Sequence, residues 1–201
     1  MFTVIRAEQL EFDPREQMSR IFAEGFSQWL GYFSNDKQAI ARAFEHMFLL
    51  HHFYVAVTED RKVVGMTACT DGTVSSVKLN PKELRKHLGL IKGTIAGLVL
   101  KKEFEATKAT KGAPSSTHGS IEFVGTDAEF RGQGVAMAII RHIVEHAPYE
   151  QFLIEEVADT NIPAIKLYHK LGFQEYKRKP IPQKRAEKIG INHIVSLKYV
   201  K

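Results

Sequence analysis

Cysteine is almost missing from this chain. One residue in 201, Cys69, carries a thiol, so no internal disulfide can form. It falls in a strand-like run and reads as a small buried hydrophobe. Long apolar runs are missing too. Even the stretch from Gly89 to Leu100 is interrupted by Lys92, and no segment is long enough to cross a bilayer as a helix. There is no arginine-rich arm and no aromatic platform, so nucleic acid is not an expected partner. No internal repeat is present. No targeting leader is expected, because Met1-Phe2-Thr3-Val4-Ile5-Arg6 begins directly with strand character, and the cytoplasm follows as the expected location.

What is present is ordinary and informative. At 44% hydrophobic and 25% charged residues, the composition is that of a globular protein. A chain of this length suits one domain, 1–201, burying roughly 70% of its unfolded surface. The net charge of +5 favours anionic ligands.

Patterning gives an alternation of strands and helices. Thr3 to Gln9 reads as a first strand. Asp13-Pro14 opens a helix carrying Met18, Ile21, Phe22 and Phe26 on one face. A second helix runs from about Lys37 to Leu50. Phe53 to Thr58 and Lys62 to Thr70 form an antiparallel hairpin around a short turn. Residues 74–119 form a helical insertion and loop. In it, Asn80-Pro81-Lys82-Glu83 is a capping box for a helix to about His87, Leu90 to Thr107 is a longer helix, and Lys108 to Gly119 is a Gly/Ser/Pro/Thr-rich loop. The insertion is expected to pack on the sheet edge; the sharper alternative is a lid or substrate wall. Strands follow at Ser120 to Val124 and Phe152 to Ile154. After Phe173 come strands Gln174 to Ile181 and His193 to Lys201, flanking a basic loop, Lys184-Arg185-Ala186-Glu187-Lys188. The pattern implies a mixed central sheet covered on both faces.

The segment with most chemical content is Phe130-Arg131-Gly132-Gln133-Gly134-Val135-Ala136. It is a glycine turn between a strand and a helix, and such a turn aims several backbone N–H groups at one spot suited to a phosphate. It is neither a P-loop nor the dinucleotide G-x-G-x-x-G, and alone it is equally an ordinary tight turn. Further on stands Asn161, then Ala164, Leu167-Tyr168 and Leu171-Gly172-Phe173. With Arg131, Gly134 and Ala136 these residues, in this order, resemble the GNAT-type N-acetyltransferase superfamily from about Ser120 to Phe173.

The resemblance implies a fold, a reaction and a set of roles. The fold is α/β (α+β), a mixed and mostly antiparallel sheet of about seven strands flanked by helices, with the helical insertion between strands 3 and 4. The reaction is transfer of acetyl from acetyl-CoA to a primary amine by direct attack in a ternary complex, releasing coenzyme A; no residue suggests a covalent acyl intermediate. The backbones of Arg131, Gly132, Gln133, Gly134, Val135 and Ala136 would surround the diphosphate. Val124 would polarise the thioester carbonyl, and Thr126 would line the pantetheine path. Gly125 between them marks the expected strand bulge. Asn161 would bind the pantetheine arm or cap its helix. Tyr168 is the general-acid candidate, since a phenol with pKa near 10 stays protonated at neutral pH.

For the general base, Glu122 shares strand alternation with Val124 and Thr126, with Glu155 and Glu156 as rivals. The acceptor, small molecule or peptide, is not specified, and a homodimer through an edge strand is compatible with the pattern. A non-catalytic acyl-CoA-binding module is the alternative. A remote alternative is a zinc hydrolase, because His142-Ile143-Val144-Glu145-His146 matches H-x-x-E-H; without a third ligand, chance is the better account and no metal is expected. His46, His51 and His52 have no metal spacing. Trp29, Tyr32 and Phe33 stand where acceptor contacts or core packing are both expected, and Lys177-Arg178-Lys179 reads as a solvated strand edge.

Overall fold

The structure, a computed structural model, describes residues 1–104 and 118–201. Its spine is one seven-stranded sheet: β1 (Phe2–Arg6), β2 (Phe53–Thr58), β3 (Val63–Thr70), β4 (His118–Thr126), β5 (Gln151–Ala158), β6 (Gln174–Pro180) and β7 (His193–Val200), in the order β1-β2-β3-β4-β5-β7-β6. Every neighbouring pair is antiparallel except β4 and β5, which run parallel from His118/Gln151 to Ile121/Ile154. The mixed, mostly antiparallel sheet read from the sequence is therefore present.

One face carries α1 (Arg15–Gly25), the short α2 (Ser27–Leu30), α3 (Lys37–Phe44), α4 (Pro81–Leu88) and α5 (Leu90–Phe104). The other carries α6 (Val135–His146) and α7 (Ile162–Lys170), with α8 (Gln183–Ile189) between β6 and β7. Each face has its own core. Met18, Ile21, Phe22, Phe44, Leu84 and Ala96 pack on the first; Val135, Ile139, Ile140, Ile143, Tyr168 and Phe173 pack on the second. The i, i+4 and i+8 spacing of Val135, Ile139 and Ile143 is the apolar stripe that seats α6. Hydrophobic burial of this kind contributes about 25 cal/mol per Å² of apolar area.

Several boundaries differ from the sequence reading, for local reasons. The first strand stops at Arg6, because β2 begins at Phe53 and the ladder ends at Arg6/Tyr54; Ala7–Gln9 turns as a 3-10 helix. There the Arg6 side chain donates to the His51 carbonyl at 2.8 Å and lies over the Tyr54 ring. Asp13 still accepts the Arg15 amide at 3.0 Å, but the first helical residue is Arg15 rather than Pro14. The second helix ends at Phe44 instead of Leu50, since Phe48 is drawn into a bridge with Val77 and main-chain bonds join Lys78 N to Met47 O and Leu49 N to Ser76 O. The His46 ring supports this junction: Nε2 accepts the Asn80 amide at 2.7 Å, and burial holds its pKa below the usual value. The basic segment 184–188 lies within α8 rather than a loop, between Pro182 and the left-handed Gly190.

The insertion contains two helices, as expected, but α4 stacks on α3 and α5 on α4 rather than both on the sheet edge. Leu84 and Leu88 of α4 and Ala96 and Leu100 of α5 join the first core. A Cβ on Gly93 would lie 2.5 Å from the Arg85 Cα, so glycine is what lets α5 cross α4 this closely. The expected continuation to Thr107, and the loop from Lys108 up to 117, lie outside the described residues; Gly119 belongs to β4.

Candidate active site

The parallel pair β4–β5 stops at Ile121/Ile154, although both strands continue. Past that point each strand carries one extra residue relative to its outer neighbour. On β4, Ala68 pairs with Glu122 and Met66 with Gly125, so Phe123 and Val124 together oppose Thr67. On β5, Ile154 pairs with Leu197 and Val157 with Val195, leaving Glu155 and Glu156 opposite Ser196. Phe123 has φ 51 and Glu156 φ 60, the left-handed backbone of a bulge residue. Paired bulges bend the two strands apart, and the main chain of Val124 stands in the opening outside either ladder.

The bulge therefore sits at Phe123, not at Gly125. Gly125 has a packing reason instead: an added Cβ would meet Ile21 Cγ2 at 2.8 Å. The bulge also changes which residues share a face. Ile121 and Val124 both join the α6 side, while Phe123 joins the α1 side. Glu122 shares the α1 side with its cross-strand partner Ala68. Glu122 thus does not share a face with Val124 and Thr126, contrary to simple alternation.

The helices α6 and α7 begin beyond the ends of these two strands. The turn before α6 holds Gly132 at φ 76 and Gly134 at φ 80, with residues 131–134 exposed. A Cβ at either glycine would meet nothing within 4 Å. Glycine is required by backbone conformation there, not by crowding, and the space in front is open. Within the turn, Arg131 N and Gln133 N make long bonds of 3.4 Å to Ala128 O and Phe130 O. Among the described residues, the N–H groups of Gly132, Gly134, Val135, Ala136 and Met137 have no main-chain partner, and Gly134 provides no side-chain cap. Met137 was missed by the sequence reading; it is the third residue of the helix, and counting the orphan donors of a first turn would have included it. The geometry fits an oxyanion group such as a diphosphate. The Gln133 side chain is turned back to Glu129 O at 2.8 Å, and Arg131 lies 3.9 Å from Glu24. Glu24 also accepts from Lys37 at 2.5 Å, which holds its carboxyl below the usual range.

At the start of α7, Asn161 Oδ1 accepts the Ala164 amide at 3.3 Å. The capping role is occupied, and its amide N–H donors have no partner among the described residues. Tyr168 lies one helix turn and more inside α7, buried against Phe173 in the same cluster as Val124. Desolvation pushes its pKa up, so the phenol stays neutral and can only donate or accept as O–H at ordinary pH.

Glu122 is held from both sides. Ser76 Oγ donates to Oε2 at 2.7 Å and Ser120 Oγ to Oε1 at 3.0 Å. Both serines are buried, and among the described residues no cation pairs with the carboxylate. No local sequence signal could have found Ser76, which is 46 positions away. Of the rivals, Glu155 accepts from the Tyr176 hydroxyl at 3.1 Å, and burial pushes that tyrosine up to about 12; Glu156 is exposed on the bulge. Cys69 is buried and raised to about 12, which makes it a poor nucleophile.

The His142 and His146 rings stack at 4.3 Å, and His146 Nδ1 is turned to the His142 carbonyl at 2.8 Å. Among the described residues no group of three His, Cys, Asp or Glu side chains could hold a metal ion. Tyr32 is exposed and Phe33 buried; the Trp29 side chain lies outside the described residues. Lys177, Arg178 and Lys179 lie on the exposed edge strand β6, with Arg178 bound to Glu175 at 2.8 and 2.7 Å. Among the described residues no helix is long and apolar enough to cross a membrane.

A profile of the Acetyltransferase (GNAT) family matches residues 15–173. No curated protein matches the sequence significantly. Among solved structures, an N-acetyltransferase from Staphylococcus aureus superposes with a TM-score of 0.61 at 18% identity, covering 98% of this chain and 100% of its own. A histone acetyltransferase HPA2 and related acetyltransferase from Corynebacterium glutamicum gives 0.62 at 18% identity, with 98% and 94% covered. An agmatine N-acetyltransferase gives 0.56 at 13% identity, with 100% and 99% covered. At these identities the likeness is one of fold.

Proposed function

The chain belongs to the Acetyltransferase (GNAT) family, and from that premise we propose that it transfers acetyl from acetyl-CoA to a primary amine by direct attack within a ternary complex, in the cytoplasm. The observation that carries this reading is the combination of a separated β4–β5 pair with an open, donor-rich turn at the start of α6. Bound acetyl-CoA supplies the acetyl group as a thioester, whose C–S bond breaks as the C–N bond to the amine forms.

The chain's own residues do the rest. The N–H groups of Gly132, Gly134, Val135, Ala136 and Met137 receive the diphosphate, with Arg131 adding charge and the Gln133 backbone completing the turn. The helix dipole of α6 adds to these donors. Asn161 keeps its Nδ2 donors for the pantetheine amides while Oδ1 caps α7, and Thr126 lines the same path. The Val124 N–H, outside the ladders, donates to the carbonyl oxygen as negative charge develops there. Tyr168 donates its phenolic proton to the departing sulfur, a role suited to a buried, neutral hydroxyl. Glu122 takes the proton that the amine loses, directly or through one water, from the α1 side of the opening. The names of neighbouring structures include agmatine, itself an amine, which supports nitrogen as the acceptor.

The test is time-dependent release of free thiol from acetyl-CoA with a panel of amines. Amine-dependent turnover is the expected result. Tight coenzyme binding without turnover for any amine would mean a binding module and sink the enzymatic reading.

A further inference from the structure

α5 carries apolar residues all round, yet only one side of it is covered. Gly93, Ala96, Gly97 and Leu100 are buried towards α4 and the first core. Leu90, Ile91, Leu98 and Val99 are exposed, the first three by 76%, 77% and 72% of their surface. Ten large apolar side chains are exposed among the described residues, and these four share a single helix. A helix with apolar residues on every side is ordinarily enclosed, and a clustered exposed patch ordinarily marks a contact surface. At about 100° per residue, Ile91, Ile95 and Leu98 fall within an arc of about 60°. Lys101 flanks this arc on one side and Lys92 on the other, with Lys102 at its C-terminal end, and all three lysines are exposed.

Charge is concentrated in the same place. From Pro81 to Phe104 the two helices hold six basic residues and two acidic ones, a surplus of four out of the chain's net +5. Residues 105–117 add two lysines, one glutamate and no large apolar side chain. They neither neutralise the surplus nor supply an apolar cover. The remainder of the chain is neutral overall.

We propose that the outer face of α5 is a membrane-association surface. The helix lies along an anionic lipid bilayer, with Ile91, Leu98 and Val99 entering the headgroup region and Lys92, Lys101 and Lys102 meeting lipid phosphates. Lysine stems lie along the apolar arc while their ammonium groups reach the charged layer. α5 has 15 residues, and among the described residues no helix is long and apolar enough to cross a membrane, so the contact is peripheral. A second copy of this chain fits the face less well, because pairing α5 with α5 brings two surfaces of like charge together. An acidic protein groove would have to enclose side chains that stand almost clear of their surroundings, whereas a fluid headgroup layer receives them without a matching shape. The contact is independent of the acetyl-transfer chemistry, since none of its residues belongs to the proposed coenzyme or amine site.

The experiment is sedimentation of the full chain with vesicles. Vesicles of phosphatidylcholine alone are compared with vesicles of equal parts phosphatidylcholine and phosphatidylglycerol. The partition coefficient should be at least about tenfold higher for the anionic vesicles and should fall as salt is raised. Ile91→Ser combined with Leu98→Ser should lower it by about tenfold or more. Lys101→Gln combined with Lys102→Gln should lower it by about tenfold, and this second pair keeps the test open should the first disturb the fold. Circular dichroism should show the same helix content in both variants. Equal sedimentation with the two vesicle types, or none with either, overturns the proposal. Anionic-vesicle binding that survives Ile91→Ser with Leu98→Ser in full also overturns it, reducing the contact to diffuse attraction between charges. A dimer that those substitutions split, seen by light scattering without vesicle binding, would assign the face to a second copy instead. Binding of a synthetic acidic amphipathic helix in place of vesicles would assign it to a protein partner.

Discussion

The turn before α6 and the ring cluster of Phe26, Phe104 and Phe123 on the α1 side of the sheet are made from different parts of the chain. The turn presents main-chain N–H groups, and its side chains are turned elsewhere: Gln133 to Glu129 O, Arg131 towards Glu24. The ring cluster joins Phe26, between α1 and α2, Phe104 at the end of α5 and Phe123 on the β4 bulge. A main-chain site depends on backbone conformation, so glycine positions specify it and most other residues can vary. A side-chain site depends on packing partners that no local pattern announces. The first arrangement suits a ligand common to a whole family, and the second suits a ligand particular to one member.

The comparison can be broken in graded ways. The largest effect should come from Tyr168→Phe, which deletes the proton donor on the α6 side: a fall in kcat of about 100-fold, with the dissociation constant for coenzyme A within about twofold of wild type, read by steady-state kinetics and calorimetry. An unchanged kcat would remove Tyr168 from the mechanism.

Next is a contrast within the turn itself. Gly134→Val forces a β-branched residue to φ 80 and should weaken coenzyme binding by about tenfold or more, given a cost of about 1–2 kcal/mol for left-handed backbone. Gln133→Ala should change it by less than about threefold, since its side chain serves the turn from outside. If the two variants lose affinity equally, side chains carry the coenzyme site and the contrast fails.

On the opposite face, Ser76→Ala should lower kcat/KM for the amine about tenfold, the lower end of the scale for one hydrogen bond to a charged group. It should leave coenzyme affinity unchanged. Loss of coenzyme affinity instead would show that the two faces are not independent.

The smallest effect concerns pH. Burial raises the Tyr168 pKa above its unfolded value, so above about pH 10 the unfolded chain sheds a proton that the folded chain retains. This contribution to stability is complete below about pH 10 and declines as pH rises beyond it. Urea unfolding should show the alkaline decline, and Tyr168→Phe should show less of it. An identical decline in the variant would assign it to other groups.

Much of the geometry of the proposed coenzyme side was legible because its signals are local. A strand, a glycine turn, a helix stripe of Ile139, Ile140 and Ile143, and a capped helix at Asn161 each occupy a few consecutive residues. Capping, dipole and φ requirements act over the same range. α8 was equally legible in principle, between Pro182 and Gly190, but its run of charges reads as a solvated loop. The surroundings of Glu122, on the proposed acceptor side, were not legible. Alternation places Glu122 with Val124, yet one extra residue in β4 reverses that assignment. The α3 boundary depends on a bridge from Phe48 to Val77, and the clamp on Glu122 depends on Ser76 at the start of the insertion.

By itself, the sequence determined the class of fold and the family, and it marked the glycine turn proposed to receive an anion, because glycine conformation and helix periodicity are properties of short segments. Only the tertiary structure decided where β4 and β5 part, which face each carboxylate occupies and which rings gather around Phe123. Those depend on cross-strand register and on contacts between distant elements, and a one-residue bulge is enough to change them.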